Sequence, residues 1–191
     1  MIDILGWFWT SAILVIAVGT VVLLIAIYNQ LVRLRQNVRQ GVADIDAQLR
    51  QRHDLIPNLV EAVKGYAGHE ASTLEAVIAA RNAAAKGDAP GGASEAQLKL
   101  ALDNLLALGE AYPDLKASAN FQSLQNELGD VEDKLAAARR ALNAAAARFN
   151  AARESFPAVL FAGMLGFGEA DFSRLAESEK GVVDQTPKVA F

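Results

Sequence analysis

The sequence predicts an all-α fold, in which an N-terminal transmembrane helix continues into a long antiparallel coiled-coil-like helical bundle. Three observations predict it: one uncharged apolar run of membrane length, two stretches with heptad spacing, and no window that alternates with period two. The predicted organisation is a transmembrane anchor at 1–28, a helical bundle at 29–156, and an apolar segment with a C-terminal tail at 157–191. The predicted bundle comprises a long kinked helix 29–86, a loop 87–94, a short helix 95–110 and a long helix 118–156.

The apolar run from Ile4 to Ile27 contains no charged residue. A bilayer core of roughly 30 Å needs about 20 helical residues, so this run is long enough to cross it. Trp7 and Trp9 near one end and Tyr28 at the other are typical of an aromatic belt. A signal peptide would begin with basic residues and end in a small-residue cleavage site, and neither pattern is present. The run therefore predicts a membrane anchor.

Basic residues follow the apolar run and do not precede it. Arg33, Arg35 and Arg39 lie just after it, and Asp3 is the charged side chain before it. The positive-inside rule then predicts that Met1 is extracytoplasmic and that the bundle is cytoplasmic. The chain has no cysteine, which agrees with a reducing compartment, and its net charge of −4 gives no basic footprint for nucleic acid.

A first heptad seam crosses Pro57 without a change of phase, which favours one kinked helix over two helices. A kink there frees the carbonyl of His53, which then needs another donor. The alternative is a tight turn at Asp54–Pro57, with Asp54 capping a new helix. The residues of this seam are Val42, Ile45, Leu49, Arg52, Ile56, Leu59, Val63 and Tyr66.

A second heptad seam is unbroken over five repeats and has a charged margin on both sides. Alanines at 136–138 and 144–147 would let another helix approach closely, so this region predicts self-association into a homo-oligomer. The seam residues are Phe121, Leu124, Leu128, Val131, Leu135, Ala138, Leu142, Ala145, Phe149, Ala152 and Phe156.

A short apolar segment follows Pro157 and ends near Gly168. Helical rise over the two arms of the hairpin returns this segment to the height of the membrane. It is therefore predicted to contact the membrane surface, while folding over the end of the bundle stays an equal alternative. The residues predicted to touch lipid are Val159, Leu160, Phe161, Leu165 and Phe167.

Arg52 occupies a position in the first seam where an unpaired charge would be costly. If Tyr28 and Phe156 lie level at the membrane end, Arg52 is about 36 Å from that end along the first arm at helical rise. Glu132 is the same distance from that end along the returning arm. We therefore predict an Arg52–Glu132 ion pair that fixes the register of the two arms. An error of one turn would admit Asp133 or Glu127 instead.

Several runs of residues resemble the LemA family over nearly the whole chain. The runs are Tyr28–Val32, Arg52–Val60, Val63–Glu70, Tyr112–Lys116, Asn120–Leu128, Phe156–Pro157 and Pro187–Phe191, and the motif positions singled out are Asp54, Pro57, Asn58, Tyr66, His69 and Glu70. The resemblance implies a single-pass protein of the bacterial cytoplasmic membrane with a helical-bundle domain. It implies no established enzyme activity, and a magnetosome-associated branch of the family suggests a role in organising membrane.

The residue types needed for catalysis are sparse. His53 and His69 would stand about 24 Å apart on one continuous helix and could not share a metal ion. Tyr66, His69 and Glu70 would share a helical face, where a packing cluster is the simpler interpretation and a proton-transfer group the alternative. No catalytic, cofactor-binding or metal-binding residue is predicted.

The sequence thus favours a membrane-anchored scaffold that self-associates and organises membrane or membrane proteins. The alternative is a non-oligomeric adaptor or regulator of another membrane protein, such as a peptidase or a sensor kinase. The expected partners are the lipid bilayer, further copies of the chain and a membrane-protein partner, and nucleic acid is not expected. An enzyme is the least favoured class.

Overall fold

The computed structural model describes residues 2–86 and 92–170, with side chains described from Trp7 onwards. The described part contains helices and no strand, so the prediction of an all-α fold is confirmed. The helices are α1 (Ile2–Lys64), α2 (Ala71–Ala84), α3 (Ala93–Ala111), α4 (Pro113–Lys116) and α5 (Ala119–Glu154), followed by a 3₁₀ turn at Ala158–Leu160. Most of the predicted loop 87–94 and the tail from residue 171, including Pro187–Phe191, lie outside the described residues.

The described residues form two compact units. The first unit contains residues 2–39 and 144–170, and the second contains residues 40–86 and 92–143. Helices α1 and α5 each contribute to both units, and α2, α3 and α4 belong to the second unit alone.

The N-terminal part of α1 is long and apolar enough to cross a membrane, and it is the one such helix in the described part of the chain. Only 6% of its most apolar 18-residue window is buried. Thr10, Ser11 and Thr20 donate their hydroxyl hydrogen bonds to backbone carbonyls three or four residues earlier. These bonds satisfy the polar groups within the helix itself, as a lipid environment requires.

Helix α1 continues through Pro57 and ends at Lys64. The predicted extension of this helix to residue 86 is wrong, because Gly65–Glu70 form a non-helical turn before α2 begins at Ala71. Gly65 and Gly68 lie within this turn, and neither has a positive φ. A Cβ on Gly68 would lie 3.1 Å from the Lys64 carbonyl oxygen, so the turn brings backbone close to backbone.

The core of the second unit is built where α1, α2, α3 and α5 bury their apolar faces. The first seam is buried from Ile45 to Val63, whereas Val42 and Tyr66 at its ends are exposed. Two glycines allow close packing: a Cβ on Gly41 would lie 3.1 Å from the Cα of Leu142, and a Cβ on Gly109 would lie 3.0 Å from the ring of Phe121.

The seam of α5 is used inside the chain. Its buried members are Phe121, Leu124, Leu128, Val131, Leu135, Leu142, Ala146 and Phe149. Ala146 is buried in place of the predicted Ala145, because an α-helix has 3.6 residues per turn and drifts from a strict heptad. Phe156 is 81% exposed, since α5 ends at Glu154. The seam is therefore covered within one chain, and any self-association must use other faces.

The first unit has its own apolar cluster around Phe167. Gly166 has φ +75°, a conformation that glycine adopts readily, and the Phe167 amide donates to the Ala162 carbonyl at 2.9 Å. This turn directs the ring of Phe167 into the cluster. The other buried members are Ile27 and Leu31 of α1, Phe149 of α5, and Ala158 and Ala162.

Candidate functional site

A buried charged cluster lies in the second unit, centred on Arg52 of α1. Arg52 is only 2% exposed. Its Nη1 donates to Glu132 Oε1 of α5 at 2.7 Å, and its Nη2 donates to Glu95 Oε2 of α3. One guanidinium thus contacts carboxylates from two other helices, and its planar fork suits two separate acceptors.

Glu95 is the most deeply buried acid of the cluster, at 6% exposure. It lies in the first turn of α3, where the helix dipole stabilises a negative charge. His53 Nε2 lies 2.9 Å from Glu95 Oε1, but the two atoms are not aligned as a hydrogen bond. Arg52 and Glu95 are buried and Glu132 is partly exposed, and a buried arginine paired with carboxylates suits a structural role better than catalysis.

The structure brings Arg52 and Glu132 together, and leaves the alternative partners Asp133 and Glu127 exposed. Sequence reasoning missed Glu95. Its sequence context was weak evidence, because it is only an acidic residue at the start of a helix. The loop before that helix does not allow the position of α3 along α1 to be counted from the sequence. The pairing of α1 with α5 followed from counting residues, whereas the contribution of α3 did not.

The missing amide of Pro57 is compensated by a second helix. Pro57 has no N–H, so the His53 carbonyl four residues earlier has no donor within α1. Arg81 Nε of α2 donates to that carbonyl at 2.9 Å. The donor that the proline requires is therefore supplied by a side chain of α2.

The residues of the family motif do not form one site. Asp54, Pro57 and Asn58 are exposed on α1, and Tyr66 and His69 are exposed in the following turn. The prediction that Tyr66, His69 and Glu70 share a helical face is wrong, because α1 ends at Lys64 before any of them.

Glu70 has a different partner. Its Oε1 accepts a hydrogen bond from the Tyr112 hydroxyl at 3.0 Å. This bond, together with desolvation and the negative charge of Glu70, raises the pKa of Tyr112 above its ordinary value of 10.0. The contact joins the turn before α2 to the junction between α3 and α4.

The segment predicted to touch lipid is divided between two environments. Val159, Leu160 and Leu165 are exposed and Phe161 is partly exposed. Phe167 is 1% exposed, so its assignment to the membrane surface is wrong. It was misassigned because a short apolar segment without helical period gives no sign of which side chains turn inward.

Phe167 packs among aromatic rings of the first unit. Its ring centroid lies 5.5 Å from that of Tyr28 and 6.4 Å from that of Phe149. The Cζ of Arg35 lies 4.9 Å from the centre of the same ring, in a cation–π contact. The Ala170 amide donates to Asn150 Oδ1 at 3.1 Å, which holds the end of the segment against α5.

The described side chains do not assemble a metal site. Among residues 7–86 and 92–170, no group of three or more His, Cys, Asp or Glu side chains lies close enough to hold a metal ion. The candidate sites in the described residues are the charged cluster around Arg52 and the aromatic cluster around Phe167.

Curated relatives resemble this chain at low identity. Magnetosome protein MamQ of Magnetospirillum gryphiswaldense is 25% identical over 173 residues, which cover 76% of this chain and 64% of the relative. Magnetosome protein MamQ 2 of Paramagnetospirillum magneticum is 25% identical over 84% of this chain and 71% of its own length. Protein LemA of Metamycoplasma hominis is 29% identical over 64% of this chain and 57% of its own length. The chain thus spans less than two thirds of the first and last of these relatives, and none of the names specifies an enzyme activity.

A family model agrees with the resemblance of the motifs. The model of the LemA family matches residues 41–191, which include the charged cluster, the Pro57 position and the segment after Pro157. The match leaves out the candidate membrane span, whose assignment depends on its own length and composition. A membrane-associated helical protein is the class that these findings support, and the chain belongs to the LemA family.

Proposed function

We propose that the protein is a membrane-anchored, non-enzymatic helical scaffold that self-associates and organises membrane or membrane proteins. The observation that carries this proposal is the exposed apolar stretch of α1, in a chain whose buried polar residues form a structural cluster. The magnetosome assignment of two relatives supports a role in cellular organisation. The proposed partners are the lipid bilayer, further copies of the chain and a membrane-protein partner, without nucleic acid.

The proposed location is the bacterial cytoplasmic membrane, with Met1 outside and the bundle in the cytoplasm. Arg33, Arg35 and Arg39 support this orientation, because basic residues remain on the cytoplasmic side of a span. Protease added to intact spheroplasts should leave the bundle uncut, and disruption of the membrane should expose it. Cleavage of the bundle in intact spheroplasts would contradict the orientation.

Self-association needs a face that the chain itself does not cover. Ala144, Ala147 and Ala151 are exposed and share one face of α5 within the first unit. Small side chains let helix backbones approach closely, which favours packing between helices. This face supports contact between copies, whereas the buried seam of α5 does not.

The mass of the full-length protein in a mild detergent tests self-association. We expect a homo-oligomer for the parent and a smaller particle for Ala147→Trp, since an indole would hold a second helix away. Lys134→Trp is the matched control, because it places the same side chain at an exposed position on a different side of α5. A parent that is monomeric at micromolar concentration would contradict the scaffold and favour the adaptor.

A further inference from the structure

An apolar groove lies in the first unit, between the end of the apolar stretch of α1 and the segment after Pro157. Its volume is about 290 Å³, near the lower end of small-molecule pockets. It is lined by Leu24, Ile25, Tyr28, Phe161, Met164 and Leu165. Its lining is almost entirely apolar, so an occupant must be hydrocarbon where it touches the groove.

The side chains around this groove are exposed on the outside of the unit. Met164 is 88% exposed, and Tyr28 and Leu165 are also exposed. A contiguous apolar surface of this kind is costly in water and marks a binding surface. Because Leu24 and Ile25 belong to the apolar stretch of α1, the groove is positioned where that stretch would meet the membrane interface.

The net charge of the first unit favours an anionic occupant. In the described part of the first unit beyond the apolar run, five arginines (Arg33, Arg35, Arg39, Arg148 and Arg153) outnumber two acids (Glu154 and Glu169). In the described part of the second unit, acidic residues outnumber basic ones. The excess of positive charge therefore lies in the unit that contains the apolar groove.

Arg35 is the arginine best placed to meet such an occupant. It stands two helical turns after Tyr28 on the same face of α1, and helical side chains lean towards the N-terminus. Its guanidinium lies over Phe167, which in turn contacts Tyr28 at the rim of the groove. The Arg35 side chain is only partly buried, so it is not closed off from a headgroup at the surface of the unit.

We propose that the groove binds one acyl chain of an anionic phospholipid, whose phosphate accepts hydrogen bonds from Arg35. This inference depends on the membrane anchoring proposed above and does not depend on self-association. The hydrocarbon is recognised by the six groove residues, and the headgroup by charge. The segment after Pro157 would then form part of a binding site that prefers phospholipids with a negatively charged headgroup.

Lipid-borne quenchers test this proposal on the full-length protein. Phe161→Trp places a fluorophore in the groove, and the parent, whose Trp7 and Trp9 lie at the other end of the apolar run, gives the background. Vesicles contain brominated phosphatidylglycerol or brominated phosphatidylcholine at equal mole fraction. We expect brominated phosphatidylglycerol to quench the introduced indole at least about threefold more strongly, which is a preference of about 0.65 kcal/mol.

Three further variants separate the parts of the proposal. Arg35→Gln should abolish the preference for phosphatidylglycerol, and Arg39→Gln, an exposed control on the same helix, should retain it. Equal quenching by both lipids, or a preference unaffected by Arg35→Gln, would overturn the proposed site. Leu165→Gln is made in the Phe161→Trp background. If it changes the oligomer mass but leaves the quenching unchanged, the groove binds a second copy of the chain, and the proposed lipid site is overturned.

Flotation of the same vesicles keeps the two proposals distinguishable. Parent protein that fails to float with the vesicles would contradict membrane anchoring itself. Protein that floats but shows equal quenching by the two lipids would contradict only the phospholipid site.

Discussion

Each of the two units contains an arginine in its central cluster, and the two arginines have different kinds of partner. In the second unit, Arg52 is buried against the carboxylates of Glu95 and Glu132. In the first unit, Arg35 lies over the face of Phe167, and its Nε has no hydrogen-bond partner. An ion pair needs its partners at fixed heights, whereas an aromatic ring accepts a cation over a broad area. The packing of the second unit therefore depends on the register of its helices, and the packing of the first unit depends on the shape of its aromatic cluster.

Breaking the charged cluster should give the largest effect. Arg52→Met leaves Glu95 buried without its partner, and we expect a loss of about 3–5 kcal/mol in the free energy of unfolding. Circular dichroism of the full-length protein in detergent, followed through denaturant unfolding, measures it. The double variant Arg52→Met/Glu95→Met should recover most of the loss, because Glu132 is partly exposed and can turn to solvent. A double variant no more stable than Arg52→Met would contradict the cluster.

Removing the central ring tests the first unit in the same way. Phe167→Ala should cost about 3 kcal/mol, at the lower end for a buried phenylalanine, because the segment lies at the surface. The loss should be local, and hydrogen exchange should rise over residues 158–167 while the second unit keeps its protection. Leu160→Ala is the matched control, since this side chain is exposed and lies outside the groove. Equal loss of protection in both units would contradict the separate behaviour of the two clusters.

The contact between Arg81 and the His53 carbonyl should have an intermediate effect. Arg81→Leu removes the donor, and an unsatisfied, partly buried carbonyl costs about 1–2 kcal/mol. Pro57→Ala restores an amide that can donate to the same carbonyl within α1. In that background Arg81→Leu should cost clearly less, as a double-mutant cycle in denaturant unfolding would measure. Strict additivity of the two substitutions would contradict this link between the helices.

The hydrogen bond from Tyr112 to Glu70 should give the smallest effect, and that effect depends on pH. Since folding raises the pKa of Tyr112, the protonated hydroxyl stabilises the fold at and below pH 10. That contribution should disappear as the pH rises through the raised folded-state value. The difference in unfolding midpoint between the parent and Tyr112→Phe should therefore shrink above pH 10. A difference that stays constant or grows would contradict the contact.

Periodic features of the sequence predicted most of the second unit. The heptad phase carried α1 through Pro57, and counting residues on two arms placed Arg52 opposite Glu132. The break at Gly65–Glu70 was not predicted, because helical spacing resumes after it and no proline marks it. Glu95 was missed, since heptad spacing gives no height for a helix that follows a loop. Phe167 was misassigned, because burial after Pro157 is decided by a turn at Gly166 and not by a period.

The proline in α1 also limits how α2 can be mispaired. With Arg81 at the level of His53, the free carbonyl has its donor. If α2 slid by one turn in either direction, Val77 or Ile78, or Ala84 or Ala85, would occupy that level. None of these side chains has a hydrogen-bond donor, so each slipped arrangement would leave the carbonyl unmet. Pro57 therefore helps to select the register of α2: because one amide is absent, the slipped registers are destabilised and the native register is not.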